Sequence, residues 1–299
     1  MKGLFNEGII EDMEFAESSQ AMIIHEDCLS TLKQMKEQSV DLIIADPPYN
    51  LGKDFGNKSD AWEDQKTYLS WCYEWIDSCF KVLKENGTIY LMNSTQNMPY
   101  ISIYLQERYH IVCNIIWAYD SSGMQSKKKF GSLYEPIIMA TKHSKAKYTF
   151  NYEAILVETK TGTQRRMMDY RKTPPRPYNR MKVPGNVWTF PRVRYKMDEY
   201  ENHPSQKPEV LIERMIKASS NEGDIVLDPF GGSFSTCAVA IKLKRKTIGM
   251  EINPEYYRIG IRRTGISTTY NGENLKKDKS RKTKNLSKQD HLKLQQLIQ

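Results

Sequence analysis

The stretch Val40-Asp41-Leu42-Ile43-Ile44-Ala45-Asp46-Pro47-Pro48-Tyr49-Asn50 constrains this chain most. Its apolar run is rich in branched side chains and lacks polar alternation, as in a strand covered on both faces of a parallel sheet. Pro47 and Pro48 have no N–H to give a ladder, so the strand must stop at Asp46. In open α/β sheets, ligands bind just beyond the carboxyl ends of the strands. The tip offers two acceptors, the Asp46 carboxylate and the Pro47 carbonyl, and the flat ring of Tyr49. Two acceptors beside a ring suit a planar group carrying an –NH2, such as the amino edge of a nucleobase. The plainer alternative is a Pro-Pro turn with a surface tyrosine.

The same rhythm recurs on either side. Residues 21–27 read as a strand ending in an acid, and 28–38 have helical spacing. Residues 51–60, with Gly52, Gly56 and Asn57, form a loop able to close over a substrate. A long core-facing helix is expected over 62–84, its aromatics serving packing. A strand at 88–93 and a helix at 98–108 follow. Two further strands, 110–119 and 134–141, pair most simply as an antiparallel hairpin.

The rhythm breaks between 142 and 200. Residues 142–196 carry a net charge of +11 and residues 273–299 one of +5, whereas the whole chain carries +8. An acidic body with one strongly basic segment points to a phosphate-backbone footprint. Arg165, Arg166, Arg171, Arg192 and Arg194 alternate there with Tyr, Trp, Phe and Pro, a mixture that grips phosphates and stacks on bases. The competing reading is a Pro-rich insertion that is merely basic.

Beyond it, residues 208–220 form an amphipathic helix. Then come an apolar run, Asp228-Pro229-Phe230-Gly231-Gly232-Ser233, a helix, and a strand ending at Glu251. This is a βαβ nucleoside-binding layout: a Gly-rich turn admits a ligand to the backbone, and an acid 23 residues beyond Asp228 can accept both ribose hydroxyls. No Gly-x-x-x-x-Gly-Lys-Ser/Thr loop or Gly-x-Gly-x-x-Gly turn is present. No apolar run approaches the ~20 residues of a membrane span. Five scattered cysteines imply reduced thiols in a cytosol, without a zinc cluster.

Three motifs in order, Asp46-Pro47-Pro48-Tyr49, then His203-Pro204-Ser205-Gln206-Lys207-Pro208, then Asp228-Pro229-Phe230-Gly231-Gly232-Ser233, make the chain resemble the amino-group DNA methyltransferases. Catalytic tip before cofactor turn, with a basic insertion between, is similar to their β class. Asn93-Ser94-Thr95, Tyr119-Asp120-Ser121-Ser122-Gly123 and Val183-Pro184-Gly185-Asn186-Val187-Trp188 resemble the solitary adenine methylases of enterobacteria, associated with the palindrome ATGCAT.

The resemblance implies an α/β, Rossmann-like sheet of seven mostly parallel strands in circularly permuted motif order. An arm (1–20) would precede a catalytic half (21–141), a target-recognition insertion (142–200), a cofactor half (201–265) and a basic tail (266–299). It implies S-adenosylmethionine as cofactor, no metal, and double-stranded DNA as partner, with an adenine flipped out for methylation at N6. The setting would be a bacterial cytoplasm, at the nucleoid, and pairing into a homodimer is a family habit. Asp46 and Pro47, on the stiff Pro47-Pro48 turn, would hold the amino group, and Tyr49 would stack on the base. Asp27 and the Cys28 backbone would recognise the cofactor adenine, and Glu251 the ribose. Phe230, Gly232 and Ser233, with Asp228 and Ser235 beside them, would shape the turn under the methionine, whose carboxylate would pair with Lys207. Position 234 departs from the family, with Phe where Gly is frequent.

The rivals are cytosine-N4 methylation, an RNA or protein-glutamine methyltransferase, and a non-catalytic DNA-binding module. Cytosine-C5 chemistry is disfavoured, because none of the five cysteines follows a proline.

Overall fold

The computed structural model describes residues 1–6, 13–55, 60–119, 127–128, 130–159 and 167–266, and the backbone of 269–270 and 273–274. The strands are β1 (Phe15–Glu17), β2 (Ala21–Ile24), β3 (Val40–Ala45), β4 (Leu83–Met92), β5 (His110–Ala118) and β6 (Tyr134–Thr141). The insertion adds β7 (Val157–Glu158), β8 (Met168–Asp169), β9 (Arg176–Pro177), β10 (Met181–Lys182) and β11 (Val187–Thr189). After it come β12 (Ile225–Asp228) and β13 (Lys246–Met250). The helices are α1 (Cys28–Gln34), α2 (Gln65–Val82), α3 (Met98–Arg108), α4 (Glu209–Ser219), α5 (Ser235–Lys242) and α6 (Pro254–Thr264).

One sheet runs β1-β2-β13-β12-β3-β4-β6-β5-β11. From β2 to β4 every pairing is parallel, and β6 lies antiparallel between β4 and β5. The expected hairpin of 110–119 with 134–141 is therefore present. Seven strands were expected and nine are found. The additions are the short edge strands β1, antiparallel to β2, and β11, parallel to β5. Within the arm expected over 1–20, β1 extends the sheet, and Phe5 is buried and bridged to Met35. A three-residue strand is too short to show a period in the sequence.

β3 lies at the middle and is covered on both sides, as its sequence requires. Ile43 and Ala45 pack with Tyr68, Cys72 and Trp75 of α2. Leu42 and Ile44 pack with Leu211, Ile212 and Met215 of α4. Its one polar residue is used: the Asp41 carboxylate accepts Ile225 N–H at 3.0 Å and pairs with Lys84 at 2.7 Å, tying β3 to both neighbours.

The insertion is a nest of two-residue ladders, β7 with β10 and β8 with β9, held at both ends. At its start Asn151 Nδ2 donates to the Lys217 and Ser220 carbonyls at the end of α4. At its end β11 joins the sheet, and Trp188 is buried beside Trp117. Residues 267–299 form a separate unit whose described part is a hairpin, Thr269–Tyr270 with Glu273–Asn274. A short helix expected near 292–298 lies outside the described residues.

Phe234 explains its own departure from the family pattern. Its φ is +55°, a left-handed conformation that glycine adopts freely and that costs a bulky residue about 1–2 kcal/mol. Its ring is fully buried in a slot where a Cβ on Gly249 or Gly260 would stand 2.7 or 2.6 Å away. Truncating a buried phenylalanine costs about 3–5 kcal/mol, so packing outweighs the backbone cost. Phe234→Gly should therefore lower the unfolding free energy by at least about 2 kcal/mol, although it relieves the dihedral. A urea titration showing equal or greater stability would contradict the slot.

Candidate active site

The carboxyl ends of β2, β3, β12 and β13 open into one hollow of about 970 Å³, measured out to its mouth. Asp46, Pro47 and Pro48 line it from β3, Asp228 to Ser233 from the turn after β12, and Glu251 from the end of β13. Glu26, Asp27 and Cys28 close the far side. Two sequence motifs 182 residues apart thus share a wall.

Each cradle residue is held in place. Asp27 caps α1, its Oδ1 accepting Leu29 N–H at 3.0 Å and Ser30 N–H at 3.1 Å, and Cys28 is the first helical residue. The Cys28 N–H is therefore one of the helix's orphan donors. Burial, then the Asp27 charge, pushes the Cys28 thiol well up, so it stays protonated. Glu251 is fixed by two backbone donors, Gly232 N–H at 2.7 Å and Asn253 N–H at 2.8 Å. Gly232 needs to be glycine: φ is +50°, and a Cβ there would meet His203 Nε2 at 2.9 Å. Ser233 and Ser235 face inward, their oxygens 3.3 Å apart, and Arg263, whose side chain is shielded, donates to the Ser233 carbonyl at 2.7 Å and to Ser235 Oγ at 3.0 Å. Phe230 sets its ring edgewise on Trp71 and Trp75. The α2 aromatics pack as expected, except that Trp71 also lines the hollow.

At the catalytic tip the geometry differs from expectation in two ways. Lys207 Nζ pairs with Asp46 Oδ2 at 2.8 Å and Glu135 Oε2 at 3.3 Å, so two of its three donors are committed to protein carboxylates. The Tyr49 ring is buried, with Lys207 over its face at 5.2 Å, so it is not laid open as a stacking platform. Its hydroxyl donates to Asp46 Oδ1 at 2.6 Å instead. No spacing rule could show this, because Glu135 comes from β6, 86 residues beyond Tyr49.

Beside the first hollow lies a second of about 740 Å³, lined by Lys53, Trp117, Glu135, Arg192, Arg194 and Tyr200. His203, Ser205, Gln206 and Lys207 border both hollows. Burial, then Lys207 and Lys53, pushes His203 down to about 3, so its imidazole is neutral. Arg192 and Arg194 thus reach the site, and Arg192 lies over the Tyr119 ring at 4.9 Å. Arg171 does not: it pairs through Nε and Nη2 with Asp169 inside the insertion. Arg165 and Arg166 lie outside the described residues. Sequence reasoning missed Glu26, Lys53, Glu135, His203 and Arg263 as site residues. Only His203 carried a signal, standing in the quoted His-Pro-Ser-Gln-Lys-Pro motif.

With the geometry in place, comparison with known proteins decides the family. The family model described as DNA methylase, N6 and N4 type, matches residues 40–262. The chain belongs to this family. DNA adenine methyltransferase YhdJ of Escherichia coli (strain K12) is 58% identical over 270 residues, covering 90% of this chain and 91% of that one. Type II methyltransferase M.HpaI of Haemophilus parainfluenzae is 39% identical over 257 residues, covering 84% and 75%. Among solved structures, PvuII DNA methyltransferase (cytosine-N4-specific) overlays with a TM-score of 0.65 at 18% identity, covering 82% of this chain and 86% of that one. The M1.HpyAVI–SAM complex overlays at 0.58 and 24% identity, covering 82% and 100%. The Rossmann-like fold and the DNA methyltransferase class expected from the sequence are thereby borne out. Among the described residues no His/Cys/Asp/Glu group could hold a metal, and no helix is long and apolar enough to cross a membrane.

Asp228 gives the site a pH signature. Burial raises its carboxyl to about 7, and the charges of Asp46 and Glu251 add to the rise, while bonds from Thr236 and Phe230 N–H oppose it. A carboxyl raised on folding stays protonated in the native state while the unfolded chain ionises, so it costs stability as pH rises from about 4 to 7. Asp228→Asn keeps the acceptor and removes the charge. It should stabilise the protein by roughly 2–4 kcal/mol at pH 8 and by little at pH 4. Equal urea midpoint shifts at both pH values would refute the linkage.

Proposed function

We propose that this DNA methyltransferase moves the methyl group of S-adenosylmethionine to the N6 amino group of an adenine flipped out of double-stranded DNA. The observation that carries the reading is the charge of the first hollow. Glu26, Asp27, Asp46 and Glu251 line it against one lysine, His203 is neutral, and Asp228 adds a further carboxyl that ionises near neutral pH. Such a lining suits a ligand carrying both a sulfonium and an ammonium, and resists a phosphate. Bound there, the cofactor supplies an electrophilic methyl group.

The chain's own residues do the rest by positioning, which is worth ~7–11 kcal/mol when reacting atoms are held in line. Glu251 accepts the ribose hydroxyls. Asp27 Oδ2 and the Cys28 N–H read the cofactor adenine. Phe230, Gly232, Ser233 and Ser235 shape the floor under the methionine, and Lys207 keeps one donor for its carboxylate. On the wall of the first hollow, Asp46 and the Pro47 carbonyl accept the two amino hydrogens of a base entering from the second, aiming the nitrogen lone pair at the methyl carbon. Tyr49 holds Asp46 in orientation through its hydroxyl, and stacking on its ring would require Lys207 to shift. Arg192 and Arg194, with Arg165 and Arg166, meet the DNA backbone, whereas Arg171 serves the insertion's own fold. Adenine is preferred to cytosine because the tip begins with Asp46 and because the relative that is 58% identical is named an adenine methyltransferase. ATGCAT is the target that the sequence resemblance suggests. A bacterial cytoplasm, at the nucleoid, and a homodimer complete the reading.

Asp46→Ala should reduce methyl transfer at least 10³-fold while DNA still binds. Retained turnover would exclude Asp46 as the amine acceptor. DNA from cells expressing the chain, sequenced with detection of modified bases, should carry N6-methyladenine at one short palindrome. N4-methylcytosine there, or no modified base, would reject the adenine reading.

A further inference from the structure

The residue that closes the tip is Glu135. It projects from β6 opposite Trp117 of β5 and lines the second hollow. Its Oε2 receives the Tyr49 hydroxyl at 3.2 Å and Lys207 Nζ at 3.3 Å. Lys207 also binds Asp46 Oδ2 at 2.8 Å, and the single Tyr49 proton is shared with Asp46 Oδ1, its nearer acceptor at 2.6 Å. The four side chains therefore form a closed ring, Asp46–Tyr49–Glu135–Lys207, on three separate parts of the chain. All four are largely shielded: the side chains of Lys207, Glu135 and Asp46 are 7%, 16% and 22% exposed, and Tyr49 is buried.

In direct contact, two carboxylates share one ammonium. Lys207 remains charged despite its burial, because Asp46 and Glu135 both favour the ammonium. A lysine paired with Asp46 alone would cancel its charge and make it a weak acceptor for an amine. A second carboxylate on the same ammonium leaves one negative charge over at the tip. Lys53 borders the same hollow and feels both carboxylates at longer range, but among the described contacts only Lys207 pairs with them directly.

We infer that Glu135 is a positioning residue for methyl transfer: it shares Lys207 with Asp46 and keeps the tip anionic where positive charge must arrive. The inference rests on the methyl-transfer reading. As the amine attacks the methyl carbon, an N–C bond forms and the C–S bond breaks, its electron pair going to sulfur. The positive charge passes to the amine, which discharges it by losing a proton to water. Preorganised negative charge at that nitrogen stabilises the transition state more than the ground state.

The test is Glu135→Gln, which keeps the shape and the acceptor and removes only the charge, beside Glu135→Asp, which keeps the charge. Glu135→Gln should lower kcat about 10²-fold. KM for S-adenosylmethionine, and its affinity by equilibrium dialysis, should stay within about twofold. The fluorescence rise of 2-aminopurine at the target position, which reports base extrusion, should match the wild type. Glu135→Asp should retain clearly more activity than Glu135→Gln. The inference is overturned if Glu135→Gln turns over at the wild-type rate, or if Glu135→Asp is no better. It is also overturned if kcat falls together with cofactor affinity or base extrusion, which would mark Glu135 as a structural prop. A wild-type protein that labels no DNA would instead defeat the methyl-transfer reading itself.

Discussion

Everything at the site depends on the register between β3 and β12. Leu42 stands opposite Val226 and Ile43 opposite Leu227, in parallel. That pairing brings the Asp-Pro-Pro-Tyr tip and the Asp-Pro-Phe-Gly-Gly turn to the same end of the sheet. A parallel ladder is weakly directional by itself, and a slip of one residue would turn every side chain to the other face. Asp41 opposes the slip: its carboxylate grips the first N–H of β12 and, through Lys84, the start of β4. The chemistry at one end of β3 is set by an ion pair at the other.

A cost of gathering acids at strand ends is visible across the hollow. Asp228 rises toward neutrality, and Glu251 is also raised by burial while backbone donors oppose the shift. Folding would prefer fewer carboxylates there, and a ligand with two positive groups would offset that preference. The site thus concentrates unfavourable charge where a cation is to bind, as functional sites commonly do.

The central strand, the Gly-rich turn, the hairpin of 110–119 with 134–141 and the acids Asp46, Asp228 and Glu251 at strand ends were legible because each is a local pattern. The run 40–45 has no polar alternation, prolines end it, and acids stop its neighbours. The roles at the tip were not legible. Tyr49 looked like a stacking ring because a sequence displays its flat face and hides where its hydroxyl goes. Lys207 looked free for a ligand because Glu135 lies 72 residues before it and no periodicity links them. Edge strands of three residues and a shielded Arg263 were missed for the same reason, since long-range pairing leaves no local trace. The basic insertion was located by charge, yet charge did not show that Arg171 serves Asp169.

The insertion is fastened to the body near its two ends. Asn151 fastens it to the end of α4, and β11 fastens it to the sheet edge beside Trp117. Between them, the described residues add no strand to the sheet and close on themselves through their own ladders. Residues 156–184 can therefore be lengthened, shortened or rewritten like an interchangeable cartridge with little strain on the chassis, whereas Asn186, bonded to the β5 backbone through both its side chain and its carbonyl, is part of the socket.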